Sequence, residues 1–150
     1  MIFWRPARAE DVPAVVALLR DDELGMGREA EDLTPYLAAF EAMKAEGGNH
    51  LIVGEHRGEG RVVATYQLTF ITGLSLRASR RAQVESVRVD SGLRGQGLGA
   101  RLMADAEKRA KAAGCSLIQL TTNAGRGRAH DFYARLGYQP SHIGFKKPLR

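Results

Sequence analysis

A glycine-rich segment in the second half of the chain has the residue types needed to hold an anion. Gly95, Gly97 and Gly99 recur at every second position, directly after the valine-rich stretch 87–90. An apolar pattern with helical spacing begins at Leu98, so the glycines lead into a helix. The unpaired N–H groups at a helix amino terminus, together with the helix dipole, form an anion site. Glycines also let the backbone approach phosphate oxygens closely. The segment therefore predicts a site for a phosphate-bearing ligand.

Two other phosphate-binding motifs fit this segment poorly. The dinucleotide fingerprint would place its third glycine at Ala100 or Leu102, of which only alanine is a tolerated variant. Its acidic residue about 20 positions further on is also missing. The nucleoside-triphosphate loop ends in Gly-Lys-Ser/Thr, whereas Gly97 is followed by Leu98. A structural turn without a ligand is the remaining alternative.

The strand that leads into the glycines carries a carboxylate at a break in its pattern. Valines at 84, 87 and 89 mark this strand, but Val84 and Val87 lie three residues apart instead of two. A β-bulge around Glu85 and Ser86 explains the break, because one extra residue resets the face of the strand and splays it. We therefore predict a bulge next to the anion site, with free backbone N–H groups near Val87.

The hydrophobic pattern along the whole chain predicts alternating strands and helices. We expect helices at 10–19, 34–46, 98–113 and 127–136, and strands at 2–5, 50–55, 61–71, 83–90, 116–121, 138–139 and 143–147. This order predicts an α/β (α+β) fold, a three-layer α/β/α domain around one mixed sheet. On the helix at 98–113 we expect Asp105 and Arg109 to pair across one turn.

Length and composition are those of an ordinary folded domain. The chain has 150 residues, of which 44% are hydrophobic and 26% are charged. We therefore expect a single domain over residues 1–150. No apolar run approaches the roughly 20 residues that cross a bilayer, and the first six residues lack the pattern of a secretory signal. We expect a cytoplasmic protein with no membrane partner.

Charge and potential metal ligands bear on two further classes of function. The 22 basic residues exceed the 17 acidic ones, but they are scattered and no nucleic-acid-binding motif accompanies them. Cys115 is the only cysteine, so we expect it to pack as a small hydrophobe. The four histidines lack the spacing of metal ligands. We expect no nucleic-acid partner and no metal.

The glycine-rich segment resembles the coenzyme A loop of the GNAT superfamily of N-acetyltransferases. That loop has Gln or Arg, two residues, Gly, one residue, and Gly or Ala, which here are Arg94, Gly97 and Gly99. A second motif of the superfamily is also present, with Asn123 after a predicted strand and Tyr133 on the following helix. The resemblance covers nearly the whole chain and implies a sheet that is splayed at the cofactor site. It also implies an acetyl-CoA-dependent N-acetyltransferase.

The resemblance implies a role for each matching residue. Asn123 is expected beside the coenzyme and Tyr133 beside its thiol, where the hydroxyl donates a proton to the leaving thiolate. Glu85 is expected to accept the amine proton, directly or through water, with the acidic cluster Asp21, Asp22 and Glu23 as the next candidate. The cofactor-binding set is Val87, Arg88, Val89, Arg94, Gly95, Gln96, Gly97, Leu98, Gly99, Asn123 and Tyr133.

The identity of the acceptor amine is less constrained by the sequence. The final residues, from 121 to 147, are similar to the aminoalkylphosphonate N-acetyltransferases, which suggests a small-molecule amine. Arg77, Arg80 and Arg81 are candidates to bind an acidic group on such a substrate, or else solvated loop charges. A protein or peptide N-acetyltransferase, and a coenzyme A-binding protein without catalysis, are the alternatives. A homodimer is compatible with each of these functions.

Overall fold

The structure is a computed structural model that describes residues 1–21 and 32–150, and it contains one five-stranded sheet. The strands lie in the order β1-β2-β3-β4-β5 and comprise Ile2–Pro6, Asn49–His56, Arg61–Thr72, Arg80–Val89 and Leu117–Leu120. The first four strands pair antiparallel, whereas β4 and β5 are parallel. The predicted mixed, mostly antiparallel sheet is therefore confirmed.

Among the described residues, four helices of nine residues or more cover the two faces of this sheet. They are α1 (Val12–Arg20), α2 (Thr34–Glu46), α3 (Leu98–Ala112) and α4 (Gly127–Arg135). Short helical turns lie at Ala9–Asp11, Ser75–Ala78 and Ser91–Leu93. Within the described part of the chain, no helix is both long enough and apolar enough to cross a membrane.

Two apolar clusters hold the three layers together. The larger one joins the sheet to α3 through Tyr66, Val84 and Leu102, with Phe132 and Tyr133 of α4 packed against it. The smaller one places α1 and α2 on the opposite face and comprises Val12, Val16 and Phe40. Because side chains alternate between the two faces along each strand, the same strands contribute apolar side chains to both clusters. The predicted three-layer α/β/α arrangement is confirmed.

A buried polar network fixes α3 on the sheet. The Tyr66 hydroxyl donates to Asp105 Oδ2 at 2.5 Å, and Arg109 Nε donates to the same oxygen at 2.8 Å. Arg109 also donates to the carbonyl of Trp4, at 3.1 Å. Asp105 and Arg109 therefore pair as predicted, and the pair also connects α3 to β1 and β3. The position and tilt of α3 matter because its first turn follows the glycine-rich loop.

The predicted closing strands at 138–139 and 143–147 are wrong for the isolated chain. Residues 138–150 form neither helix nor strand, and residues 139–150 are exposed throughout. Apart from those of Tyr138, the hydrogen bonds of this segment in the described chain are local, such as Ser141 N to Gln139 O at 2.9 Å. The alternating pattern favours an extended strand, but a strand forms only where a partner supplies the other half of the hydrogen-bond ladder.

Candidate active site

The central feature of the site is the β-bulge in β4, which lies where the sequence pattern breaks. Gln67 of β3 pairs with Glu85, and Thr65 pairs with Arg88. Two residues of β4, Ser86 and Val87, therefore lie opposite the single residue Tyr66. Ser86 has φ +55°, a left-handed conformation that residues other than glycine rarely adopt. The predicted bulge is confirmed, and its extra residue has no ladder partner.

The sheet opens at the same level on the other side of β4. Parallel pairing with β5 runs from Arg81 to Val84, opposite Leu117 to Leu120, and then ends. Glu85 is the first residue of β4 beyond this pairing, and its side chain is exposed. Since Val84 is buried against the α3 layer, the alternation of the strand directs Glu85 toward the opposite face. A carboxylate therefore lies at the mouth of the opening.

The turn after β4 is held by Asp90. Its carboxylate accepts a hydrogen bond from the Gly92 backbone N–H at 2.8 Å and pairs with Arg61 Nη1 at 2.6 Å. The Arg61 hydrogen bond, aided by the Gly92 N–H, lowers the pKa of the Asp90 carboxyl below its usual value. The carboxylate therefore stays ionised at neutral pH. It stabilises the turn that connects β4 to the glycine-rich loop.

The glycine-rich loop exposes the amino terminus of α3. Arg94, Gly95, Gln96 and Gly97 are all exposed. Gly95 and Gly97 have φ +82° and +77°, and a Cβ at either would meet no atom within 4 Å. Gly97 is the residue that precedes α3, and no side chain caps the helix there. The N–H groups of the first helical turn therefore have no side-chain cap, which leaves them available to an anion.

At position 99, glycine is required for a different reason, which is close packing between two helices. A Cβ at this position would lie 3.2 Å from Cζ of Phe132 on α4. The missing side chain lets the first turn of α3 and the body of α4 come into close contact. The backbone N–H of Gly99 still belongs to the first turn of α3, so its expected contact with a phosphate group stays a prediction.

Tyr133 lies next to this helix contact. Its ring packs edge-on against Phe132 and Tyr138, with centroids 5.0 Å and 5.9 Å apart. Burial raises the pKa of the Tyr133 hydroxyl, while the positive charges of Arg126 and Arg88 oppose the shift. The hydroxyl therefore carries its proton throughout the neutral range. Arg126 is a residue near Tyr133 that sequence reasoning missed, because nothing in its local pattern points to the site.

Asn123 organises the loop between β5 and α4. Its side-chain oxygen accepts from the Gly125 N–H at 2.9 Å, and its carbonyl lies 3.1 Å from His130 Nε2. The side-chain oxygen of Asn123 thus already accepts a hydrogen bond within the turn, although the side chain as a whole is exposed. Its expected contact with the coenzyme stays a prediction, and the structure shows in addition a local role in shaping the loop.

The arginines considered for an acidic substrate group lie at the other end of β4. Arg81 precedes Glu85 by four residues, which corresponds to about 13 Å along a strand. Arg80 donates to Thr72 Oγ1 at 2.9 Å and lies over the Phe70 ring. Both residues therefore belong to the opposite end of β4 from the bulge. Of the acidic cluster considered as an alternative base, Asp22 and Glu23 lie outside the described residues.

The described residues bring together a carboxylate, an opening in the sheet, a helix amino terminus and a partly buried phenol. Within residues 1–21 and 32–150, no group of three or more His, Cys, Asp or Glu side chains is arranged to hold a metal ion. Val87 and Val89 belong to β4 between the bulge and the glycine-rich loop, half-buried against the α3 core. Residues 85–97 therefore lead from the exposed Glu85 carboxylate, past the end of the β4–β5 pairing, to the uncapped amino terminus of α3.

Comparisons with known proteins agree with this geometry. The model of the acetyltransferase (GNAT) family matches residues 13–138. The aminoalkylphosphonate N-acetyltransferase of Salmonella typhimurium is 32% identical over 145 residues, which cover 97% of this chain and 90% of that protein.

Solved structures show the same similarity. One from Bacillus halodurans, titled a transcriptional regulator, superposes with a TM-score of 0.93 at 39% identity, covering 99% of this chain and 100% of that one. An acetyltransferase from Trypanosoma brucei has a TM-score of 0.82 at 25% identity, with coverage of 99% and 100%. The chain therefore belongs to the acetyltransferase (GNAT) family and is an acyltransferase.

Proposed function

We propose that this chain transfers the acetyl group of acetyl-CoA to the amine of a small molecule by direct attack of the amine on the thioester. The observation that carries the proposal is the coincidence of three features at the end of β4. Pairing with β5 ends at Val84, the bulge follows at Ser86, and the exposed loop reaches the amino terminus of α3 at Leu98. No metal takes part in the proposed reaction, and we propose that the enzyme acts in the cytoplasm.

The opening provides a place for each part of the coenzyme. The N–H groups of Gly97, Leu98 and Gly99 bind the pyrophosphate, with the exposed Arg94 contributing positive charge. The backbone of Val87 and Val89 has no strand beside it on the β5 side. The pantetheine arm is an extended chain with amide groups, so it adds to this edge as a strand does. Arg88, Gly95, Gln96 and Asn123 complete the lining in this proposal.

Glu85 is the proposed proton acceptor. An alkyl amine has a pKa near 10.4, so at neutral pH most of it is protonated and cannot attack. The Glu85 carboxylate is exposed at the mouth of the opening, and none of the described residues forms an ion pair or a hydrogen bond with it. It is therefore available to remove the amine proton, directly or through one water.

Two further groups serve the thioester. The N–H near Val87, freed by the bulge, donates to the thioester oxygen as negative charge develops there. The Tyr133 hydroxyl donates its proton to the leaving sulfur. Burial keeps that hydroxyl protonated, so it can hydrogen-bond to the sulfur and donate as the C–S bond breaks. The phenolate then regains a proton from solvent, because it is more basic than the thiolate.

For the acceptor, we propose a small amine that also carries an anionic phosphorus group. The support comes from relatives, namely the aminoalkylphosphonate enzyme and a glucosamine 6-phosphate N-acetyltransferase from Oryza sativa, 29% identical over 72% of this chain and 64% of that protein. Arg80 and Arg81 are about 13 Å or more from Glu85 along the strand, so a short substrate held at Glu85 does not reach them.

An amine panel tests the proposed function. The release of free thiol from acetyl-CoA is followed with an aminoalkylphosphonate, an amino-sugar phosphate, an uncharged alkylamine of similar length and a lysine-containing peptide. We expect the highest kcat/KM with one of the two phosphorus-bearing amines. Turnover of the peptide alone would instead indicate a protein acetyltransferase. Binding of acetyl-CoA without turnover of any amine would indicate a coenzyme A-binding protein without catalysis.

Replacing Gly97 tests the coenzyme site. In wild type, acetyl-CoA at 100 times its Kd should stabilise the fold by about 2.7 kcal/mol and raise the Tm. Gly97→Glu places a carboxylate in the open space before α3, so the shift should disappear. Gly97→Ala is the control, because it brings the same φ strain, about 1–2 kcal/mol, without the charge or bulk. It should lower the Tm of the free protein yet retain most of the shift. An undiminished shift in Gly97→Glu would contradict the site.

Glu85→Gln tests the proton acceptor. The variant keeps the shape of the side chain and removes its basicity, so turnover should fall by roughly 10²- to 10⁴-fold at neutral pH. The defect should shrink as the pH rises, since solvent then supplies neutral amine. Glu85→Asp, which keeps the carboxylate, should recover part of the rate. A loss that is equal at every pH would assign Glu85 a positioning role instead.

Tyr133→Phe tests the proton donor. We expect a slower single-turnover rate with little change in acetyl-CoA affinity, because the hydroxyl acts only as the thiolate leaves. Tyr138→Phe is the matched control, since it removes a neighbouring phenol that hydrogen-bonds to Glu107 at 3.0 Å. It should leave the single-turnover rate near that of wild type. Equal rates in Tyr133→Phe and wild type would mean that water supplies the proton.

A further inference from the structure

The face of β4 that carries Glu85 is polar. Ala82 and Val84 belong to the apolar cluster under α3. Because side chains alternate along a strand, Gln83 and Glu85 share the opposite face. The neighbouring strand continues this polarity, since the register places Gln67 of β3 directly opposite Glu85. The surface beside the proposed proton acceptor is therefore built from side chains that form hydrogen bonds.

A row of polar side chains crosses four strands on this face, two residues before Glu85 along β4. The row comprises Asn49, Thr69, Gln83 and Gln119, which the register of β2, β3, β4 and β5 aligns. All four residues are half-buried. The Thr69 hydroxyl donates to Asn49 Oδ1 at 2.6 Å, and Gln119 Nε2 donates to Gln83 Oε1 at 2.6 Å. Helices that cover a sheet pack on apolar side chains, so this row indicates a polar ligand or solvent above β4 and β5.

The hydrogen bond between the two glutamines leaves donors unused. An amide nitrogen carries two N–H groups. Gln83 contributes only its oxygen to the pair, so both of its N–H groups remain, and Gln119 keeps one of its two. Within residues 1–21 and 32–150, neither side chain makes another hydrogen bond. The pair therefore offers N–H donors that their mutual hydrogen bond holds in place.

The spacing between these donors and Glu85 matches a short substrate. Gln83 and Glu85 are two residues apart on one strand, which corresponds to about 7 Å. In an aminoalkylphosphonate with two carbons, three bonds join the nitrogen to the phosphorus, a reach of about 4 Å. A hydrogen bond of about 3 Å at the phosphonate end completes the span. An amino-sugar phosphate holds its two groups much further apart and does not fit it.

Neutral donors suit a site that also contains a carboxylate. A cation close to a carboxylate pairs with it and makes it a weaker base. Amide N–H groups bind an anion without this effect, and a hydrogen bond to an ionised acceptor is stronger than one between neutral groups. Gln83 and Gln119 are therefore suited to hold the anionic end of a substrate while Glu85 stays available to its amine.

We propose that Gln83 and Gln119 bind the phosphonate oxygens of the acceptor and thereby select a short aminoalkylphosphonate. This inference rests on the proposed function, because it needs an acceptor amine at Glu85. The amine lies at the carboxylate, and the two glutamines donate hydrogen bonds to the phosphonate at the other end of the molecule. These contacts are the same before and during the attack, so they lower KM and leave kcat unchanged. The two glutamines determine specificity and take no part in proton transfer.

Gln83→Met and Gln119→Met test the proposal in the full chain at saturating acetyl-CoA. Both variants keep the length of the side chain and remove its N–H groups. With aminoethylphosphonate, each should lower kcat/KM about 10- to 100-fold through KM, because a hydrogen bond to a charged group is lost. With propylamine, which has a similar length and no anionic group, kcat/KM should stay near that of wild type.

Two further variants separate binding from a structural effect. Gln83→Glu keeps the shape and adds a negative charge, so it should raise KM for aminoethylphosphonate more than Gln83→Met does, without raising KM for propylamine. Asn49→Ala is the matched control, since it breaks the other polar pair of the row. It lies two strands from Gln83, about 10 Å away, and should leave kcat/KM for both acceptors near that of wild type.

Three results would overturn this inference while acetyl transfer itself is retained. Equal losses with both acceptors in Gln83→Met would mean that the glutamine supports the strand. An unchanged KM for aminoethylphosphonate in both methionine variants would place the phosphonate elsewhere. A wild type that prefers propylamine or an amino-sugar phosphate would exclude the proposed selection. A wild type that acetylates no amine would instead contradict the proposed function, and this inference with it. The Tm of each variant, and its shift with acetyl-CoA, check folding and coenzyme binding.

Discussion

The loss of pairing between β4 and β5 beyond Val84 is the constraint on which the rest of the site depends. Parallel strands that stayed paired would fill the space with their own hydrogen bonds and leave nothing for a ligand. The bulge at Ser86 and Val87 follows directly, where β4 has one residue more than β3. Glu85 lies between the two features, and the alternation of the strand turns its side chain away from the buried Val84. The end of the pairing, the carboxylate and the bulge therefore lie within four consecutive residues.

Maintaining the opening requires that the helices on either side of it stay in place. α3 is held by the hydrogen bond from Tyr66 to Asp105, and Tyr66 is the residue of β3 that faces the bulge. α4 is held against α3 by Phe132, which occupies the space left by the absent side chain of Gly99. The amino terminus of α3 and the partly buried Tyr133 are thus fixed to the strand that carries Glu85. This rigidity is what a preorganised site needs.

Unpaired backbone occurs twice in the sheet, with different consequences. Inside the opening, the free edge of β4 is proposed to pair with the coenzyme. On the outside, β5 is the last strand of the described sheet and pairs with β4 alone. The predicted strand at 143–147 was wrong because strand pairing is not local: an alternating pattern favours an extended segment, but in the described chain no other strand pairs with it.

Much of the site was predictable because its signals are local. The spacing of Val84 and Val87 indicated the bulge, and the alternating glycines indicated the helix amino terminus, since both depend on backbone geometry over a few residues. The roles of Glu85, Tyr133 and the cofactor-binding residues stay predictions from resemblance. Only the tertiary structure placed Arg126 near Tyr133. Such a distance depends on how separate segments pack, and no spacing along the sequence encodes it.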